Sequence, residues 1–302
     1  MALVDPGRIV AGAPSRVRRR GLRRLARVGS PVTAVGVLLV GTLVVVAIAA
    51  PLLAPYSPTE IDLDGIRAGS LPGPSAEHWL GVDPLGRDLL SRLIYGTRTS
   101  LVIAVAAVAV GLVGGVTLGG LAGALGGWVD VVTMRIVDVM LSVPGLLFAI
   151  AVAAMLGPSL RSVILALGIV NIPIFARLLR SSILSERSSP YVEACRAMGL
   201  SELRIVWRHV LPNSLGPLTV AATLALATAI VDAAGLAFLG LSSPDPAIPE
   251  WGKMLAETQS YLSHAPHLAM FPGAVITLSV LGFYLVGEAL QERLDPRLKD
   301  RS

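Results

Sequence analysis

The 302-residue chain has little of what a soluble protein surface requires. Only 15% of its residues are charged, whereas 54% are hydrophobic, and the mean hydropathy is +0.72. Soluble globular domains carry about 25% charged residues. The single cysteine, Cys195, excludes an internal disulfide and a metal site built from several cysteines. This composition predicts a membrane protein.

Sequence motifs for catalysis are also missing. The nearest approach to a phosphate-binding loop, Gly252-Lys253-Met254, lacks both the glycine spacing and the hydroxyl of G-x-x-x-x-G-K-[ST]. There is no metal-ligand helix, no nucleophile elbow and no pair of carboxylates spaced for acid–base catalysis. His264 and His267 flank Pro266 in a loop, and we interpret them as ordinary loop residues, with nickel binding as the alternative. We predict that the chain is not an enzyme and holds no cofactor or metal of its own.

Long charge-free segments predict six transmembrane helices, since about 20 apolar residues cross the hydrocarbon core of a bilayer. The first segment has a basic flank like that of a secretory signal peptide, but it is too long for the apolar core of such a signal. The fourth is short enough to be a buried helix instead. The predicted spans are 31–53, 99–127, 139–157 with an interruption at Pro144, 160–176, 214–241 and 268–287. The predicted fold is an all-α membrane protein with six transmembrane helices.

The segments outside the spans define the remaining organisation. Residues 1–30 hold eight arginines and form a basic tail, which we interpret as solvated with secondary contact to anionic lipid. Residues 54–98 form a loop rich in proline, in which 88–97 could be an amphipathic helix on the outer membrane face. A five-helix core follows at 99–290, and 291–302 is a short tail.

The basic residues predict the orientation. With the N-terminus inside, 19 of the 25 Lys and Arg residues fall on the cytoplasmic side, as the positive-inside rule requires. Both termini are then cytoplasmic, and 54–98 is external. The net charge of +5 comes mainly from loops and tails, so it indicates membrane orientation and not nucleic-acid binding.

Glycine recurs at every fourth position of the second span. Residues at this spacing share one face of a helix, and glycine lets another helix backbone approach closely. We therefore predict tight helix packing along this face rather than a role in transport. The five residues are Gly111, Gly115, Gly119, Gly123 and Gly127.

A polar stretch, SPYVEACRAMGLSELRIVWRHVLPN (189–213), separates the fourth and fifth spans. Ser189 and Pro190 predict the start of a short helix. Gly199 predicts its end in the left-handed conformation, with Leu200 folded back over the last turn. A second helix is expected from Ser201. It carries Arg204, Arg208 and His209 and ends at Pro212.

On local pattern alone, 189–213 could be an ordinary cytoplasmic loop. However, Glu193-Ala194, then Gly199, then a basic and apolar run closing on Leu211-Pro212-Asn213 resembles the EAA coupling motif of ABC importer permeases. Four more segments resemble the second permease subunit of dipeptide, oligopeptide and nickel uptake systems. They are HWLGVDPLGRDLLSRLIYGTRTSL (78–101), DAAGLAFLGL (232–241), EWGKML (250–255) and ALQERLDPR (289–297).

This resemblance implies a permease subunit in the inner, or plasma, membrane of a prokaryote. The implied partners are a homologous second permease subunit, two ATP-binding subunits that bind ATP and Mg, and an extracytoplasmic solute-binding protein. The implied cargo is a dipeptide or oligopeptide, with nickel or another small peptide-like solute as the alternative. Whether the two ATPases are identical stays open.

The resemblance also implies that the ATPases grip the first helix of 189–213. Cys195 is then expected to react with a thiol reagent in the isolated permease pair and to be shielded once the ATPases bind. The residues assigned to this ATPase-coupling role are Tyr191, Glu193, Ala194, Ala197, Gly199, Leu200, Arg204, His209 and Pro212.

Asp232 is the one acid inside a predicted span and clear of its ends. A carboxylate there costs roughly 2.5–3.5 kcal/mol unless it faces a cavity or a partner. We predict that it faces the substrate path or the outer gate, and a structural hydrogen bond is the alternative. The branch has Glu at this position and Ser where Gly235 stands. A membrane enzyme would need more convergent polar groups, and an ion channel would need a pore ring.

Overall fold

The computed structural model describes residues 31–62 and 73–294, and this part of the chain is helical, with one isolated β-bridge between Val82 and Asp88. The basic tail at 1–30, residues 63–72 of the long loop and most of the tail at 291–302 lie outside the described residues. In chain order the α-helices are α1 (Pro31–Leu53), α2 (Leu89–Leu125), α3 (Gly127–Leu141), α4 (Gly145–Leu156), α5 (Leu160–Arg187), α6 (Pro190–Ala197), α7 (Glu202–Ile205), α8 (Leu211–Ser214), α9 (Gly216–Phe238), α10 (Trp251–Glu257) and α11 (His267–Leu294).

Five of these helices are long and apolar enough to cross a membrane, namely α1, α2, α5, α9 and α11. A sixth crossing is formed if α3 and α4, which meet at an angle of 90°, count as one broken span. Pro144 sits at this break and has no N–H to continue a helical ladder. The six predicted spans therefore correspond to five continuous helices and one bent pair.

Three predicted boundaries are wrong. The predicted third span begins at 139, inside α3, which starts at Gly127. Residues 88–97 do not form a separate amphipathic helix, because α2 runs without a break from Leu89, with Asp88 as its N-cap accepting from the Ser91 N–H at 2.7 Å. The fourth span does not end at 176, because α5 continues to Arg187. Two of its three arginines beyond 176 pair with carboxylates on α3: Arg177 pairs with Asp138 at 2.5 Å and Arg180 with Asp130. These ion pairs make a charged helix end compatible with the fold.

The predicted glycine packing is confirmed for four of the five residues. A side-chain carbon on Gly115 would lie 2.4 Å from Cβ of Phe175, and one on Gly119 would lie 2.3 Å from the carbonyl oxygen of Ala176. Gly111 and Gly123 meet α5 in the same way. The prediction for Gly127 is wrong, because this residue begins α3 with φ +56° and faces open space. α2 and α5 are thus closely packed from Gly111 to Gly123 of α2.

Candidate coupling surface and the opposite polar end

The coupling stretch, residues 189–213, lies at the end of the bundle where α2 finishes. Its first helix, α6, begins as predicted with Ser189 as N-cap and Pro190 at the first position, although the Ser189 side chain makes no capping hydrogen bond. It ends at Gly199, which has φ +78°. The Leu200 N–H donates to the Cys195 carbonyl at 3.2 Å and the Gly199 N–H to the Arg196 carbonyl at 2.9 Å. These two bonds form a Schellman motif, so the predicted left-handed end is confirmed.

One side of α6 is buried and the other is open. Val192 and Cys195 are buried in an apolar cluster with Leu179 and Ile183 of α5. Cys195 is only 8% exposed, so the expectation that it is a freely accessible thiol is wrong. The residue lies on the face of α6 that packs on the membrane helices, because three positions separate it from Val192. The exposed face instead includes Glu193, Ala194, Ala197 and Met198.

The second helical segment does not end at Pro212. α7 passes through a π-helical turn, Val206–Val210, into α8, which contains Pro212. In this wider turn the Leu211 N–H donates to the Val206 carbonyl, five residues back, and the altered hydrogen-bond spacing accommodates Pro212, which has no N–H to donate. Arg204 is exposed and His209 is half-buried.

The side chains of Tyr191 and Leu200 attach the coupling stretch to the bundle. Tyr191 donates its hydroxyl hydrogen to Glu186 at 2.7 Å and accepts a hydrogen bond from Asn213 at 3.4 Å. The link therefore joins the end of α5 to both ends of the coupling stretch. Leu200, also assigned to the ATPase contact, packs on the apolar cluster beneath α6. Tyr191 and Leu200 thus support the surface, whereas Glu193, Ala194, Ala197 and Gly199 form it.

Arg187, the last residue of α5, is a second junction that sequence reasoning missed. Its guanidinium donates to the Gly123 and Ala124 carbonyls at 3.0 and 3.2 Å, and these are among the last carbonyls of α2. It also donates to Glu202 of α7 at 3.4 Å. Glu202 in turn accepts from Arg196 of α6 at 2.6 Å, and this hydrogen bond lowers the pKa of the Glu202 carboxyl below its usual range. One arginine therefore connects α2, α5 and the coupling stretch.

Asp232 lies on α9, far along the chain from these junctions, and is half-buried. It has no hydrogen-bond or ion-pair partner among the described residues, so the alternative of a structural hydrogen bond finds no support within this part of the chain. Val231 and Phe238 beside it are 49% and 43% exposed. A side-chain carbon on Gly235 would meet nothing within 4 Å, so the serine of the branch would fit there. This region of α9 is open to a neighbouring molecule or to a path.

The opposite end of the bundle contains a buried polar network. Two of the segments that resemble the permease branch meet in it. Arg87 and Arg92, 3% and 0% exposed, both contact Glu257, at 3.2 and 3.1 Å, and Arg87 also pairs with Asp83 at 2.6 Å. Trp251 of α10 donates its ring N–H to the Leu93 carbonyl at 3.2 Å. The segments 78–101 and 250–255 are thus packed against each other.

His78 fixes the long loop to the same end of the bundle. Its ring nitrogens lie 2.9 Å from Asp88 and 3.2 Å from Asp62. Burial alone would lower the pKa of His78, but the hydrogen bonds and charges of the two carboxylates together raise it above the ordinary value. His264 and His267 have separate environments: His264 contacts the Ser263 hydroxyl at 2.7 Å, and His267 packs edge-on against Phe271.

Comparisons with known proteins agree with this architecture. Residues 115–300 match the family described as binding-protein-dependent transport system inner membrane component. The chain is 46% identical over 265 residues to the dipeptide transport system permease protein DppC of Alkalihalophilus pseudofirmus, covering 88% of this chain and 86% of that protein. It is 44% identical over 263 residues to the glutathione transport system permease protein GsiD of Pectobacterium atrosepticum, covering 87% and 86%.

Solved structures show the same fold at lower sequence identity. An inward-facing structure of the MetNI methionine ABC transporter aligns with a TM-score of 0.57 at 20% identity, covering 68% of this chain and 98% of that chain. An amino acid ABC transporter with histidines aligns at 0.55 and 16%, covering 68% and 94%. The chain therefore belongs to the family of binding-protein-dependent transport system inner membrane components, as a multi-pass permease in the branch of ABC importers that includes dipeptide and glutathione permeases.

Proposed function

We propose that this protein is the permease subunit of an ATP-driven importer whose cargo is a di- or oligopeptide delivered by an extracytoplasmic solute-binding protein. The observation that carries the proposal is the identity of 46% with a dipeptide permease over 88% of the chain. The second relative is named for glutathione, itself a small peptide. Nickel as cargo has no such support.

ATP and Mg are bound by partner chains in this proposal, and the permease itself is not catalytic. Its complex contains a homologous second permease, two ATP-binding subunits and surrounding lipid. The ATPases dock on the exposed face of α6, formed by Glu193, Ala194, Ala197 and Met198. Support comes from the geometry, because this face is open to solvent while the opposite face is fixed to α5 through buried Val192 and Cys195. A movement of α6 caused by docking then also moves α5, because the two helices are packed together.

Reconstitution of the whole complex tests the cargo. We expect the two permeases and the ATPases in proteoliposomes to accumulate a labelled dipeptide only when ATP and the solute-binding protein are both present. Nickel ions offered alone are expected to remain outside. Uptake of nickel with no uptake of any peptide would overturn the proposed cargo and select the alternative.

The orientation follows from the charge distribution and has its own test. We expect reporter fusions at Ser75 and Asp245 to read as external and fusions at Ser188 and Ser302 as cytoplasmic, with both termini inside. An external reading at Ser188 would place the coupling stretch on the wrong side for ATP-binding partners and contradict the proposal.

Asp232 is proposed to face the substrate path or the outer gate. Replacing it with asparagine removes the charge at nearly constant size, so we expect Asp232→Asn to lower uptake severalfold while the complex assembles normally. Asp232→Glu, which restores the residue of the branch, serves as the matched control and should keep most of the uptake. Uptake rate and subunit recovery after purification are measured together, because loss of the complex in Asp232→Asn would show a structural role instead.

A further inference from the structure

Arg98 is an exposed guanidinium with no protein partner among the described residues, although it stands in a helix long enough to cross the membrane. It is the tenth residue of α2, and no charged residue follows it before the end of the helix at Leu125. Its neighbours one turn away in either direction are Ile94, Tyr95, Leu101 and Val102, so α2 itself offers it no carboxylate. An arginine at the edge of an apolar span extends its guanidinium to the membrane interface, where lipid phosphates offer the counter-charge that α2 does not.

Directly beside Arg98 is an apolar groove of about 630 Å³ between α1 and α2. Leu101 and Phe283, 8% and 7% exposed, are its buried residues, and Ala47 of α1 and Ala106 of α2 also line it. Val102 and Ile48, at 57% and 76% exposure, are its most open side chains. Arg98 is the only polar side chain among the described residues that line the groove. The site thus combines one cation with an otherwise apolar channel.

The dimensions of the groove fit a lipid chain. From Arg98 to Ala106 the groove extends about 12 Å along α2, at 1.5 Å per residue. One leaflet of the hydrocarbon core is about 15 Å thick. The charged end lies where the charge-free part of α2 begins, and in the predicted orientation we place it at the level of the external lipid headgroups. The groove then follows the direction in which an acyl chain descends from its phosphate.

We propose that Arg98 and this groove form a binding site for one anionic phospholipid. The phosphate lies against the guanidinium, which presents planar paired donors that match phosphate oxygens. One acyl chain lies between α1 and α2 over Leu101 and Phe283. The lipid supplies the counter-charge that the described part of the chain does not offer and fills the space between α1 and the remaining helices. The site is independent of the cargo and of the coupling stretch.

The test counts lipids on the assembled complex, purified from membranes in mild detergent and analysed by native mass spectrometry and lipid extraction. We expect Arg98→Gln to lose one bound anionic phospholipid per complex and to reduce the preference for phosphatidylglycerol over phosphatidylcholine by about tenfold. Ala106→Phe, which fills the groove but keeps the arginine, should lose the same lipid. The matched control is Arg161→Gln at the exposed start of α5, which should change nothing.

A photo-crosslinker at Val102 separates a lipid from a protein occupant. We expect it to attach to phospholipid in the full complex. Crosslinking to the second permease in place of lipid would show that the groove is a subunit interface and would overturn the proposal. Unchanged lipid content in both Arg98→Gln and Ala106→Phe, or equal loss in Arg161→Gln, would overturn it as well.

Discussion

Replacement of Gly199 by valine is expected to separate ATP hydrolysis from peptide uptake. Gly199 has φ +78°, and a side-chain carbon there would meet nothing within 4 Å, so the cost is one of backbone conformation and not of space. That cost is about 1 kcal/mol or more for a residue with a side chain, and a β-branched residue fits the left-handed region worst. The backbone then leaves this region, the two hydrogen bonds that close α6 are lost and the docking face of α6 tilts.

The experiment compares substitutions that differ in their tolerance of positive φ. In the reconstituted complex we expect Gly199→Val to lower uptake per ATP hydrolysed severalfold, Gly199→Ala to lower it less, and Gly199→Asn to stay near the parent protein, because asparagine enters the left-handed region more readily. Gly240 is the matched control, since it also has φ +78° and open surroundings and closes α9 with the same pair of hydrogen bonds. An equal loss in Gly240→Val would mean that the effect is general strain and not coupling.

A thiol-labelling test of ATPase attachment needs a cysteine at another position, because Cys195 is buried. Met198 is 71% exposed on the docking face. In a Cys195→Ala background, we expect Met198→Cys to react with a thiol reagent in the isolated permease pair and to be protected once the ATPases bind. Equal labelling with and without the ATPases, together with normal coupling in Gly199→Val, would place the docking site elsewhere.

Loss of Arg187 is expected to have a comparable effect through a different contact. Arg187 is the described side chain that joins Glu202 of the coupling stretch to the Gly123 and Ala124 carbonyls of α2. Glutamine is too short to span these groups and carries no charge. Movement of α6 and α7 would then reach α2 less directly, so we expect Arg187→Gln to reduce uptake by about tenfold while ATP hydrolysis falls much less.

Three comparisons identify the contact responsible. Arg187→Lys keeps the charge without the planar fork and should give an intermediate result. Arg177→Gln is the matched control, because Arg177 also lies on α5 and pairs with Asp138 but touches no residue of the coupling stretch. A double-mutant cycle between Arg187→Gln and Glu202→Gln should show non-additive losses of coupling. Strict additivity, or a loss in Arg177→Gln as large as in Arg187→Gln, would contradict the role.

The local conformations that the sequence predicts are those in which one residue type decides the outcome. Gly199 is left-handed, Pro190 begins α6, and the glycines of α2 meet another backbone, because each depends on a property that other residues lack. The branch of permeases was also recognisable from short segments such as EWGKML. In the structure this segment places Trp251 against the Leu93 carbonyl, a contact that sequence spacing alone does not reveal.

The errors arise where long-range contacts override local signals. The charges at 177 and 180 predicted the end of a helix, but Asp138 and Asp130 on α3 accept them and α5 continues. Pro212 predicted a helix end, but a π turn accommodates it. The polar residues around Cys195 in sequence predict an accessible thiol, whereas its burial results from packing against α5. No local sequence pattern predicts the contacts of Arg187, since its partners lie 15 to 64 residues away.

The buried polar end of the bundle imposes an order on biosynthesis. Arg92 is fully buried in the finished protein, and its partner Glu257 is made 165 residues later. At roughly 5–20 residues per second, α2 therefore waits on the order of ten to thirty seconds for that carboxylate after leaving the ribosome. During this interval Asp83, which pairs with Arg92 at 3.3 Å, is the acidic partner already made, and the first turns of α2 lack the second carboxylate of their final packing. The polar end of the bundle is consequently completed only after α10 is made, and a chain truncated before Glu257 leaves Arg92 without this partner.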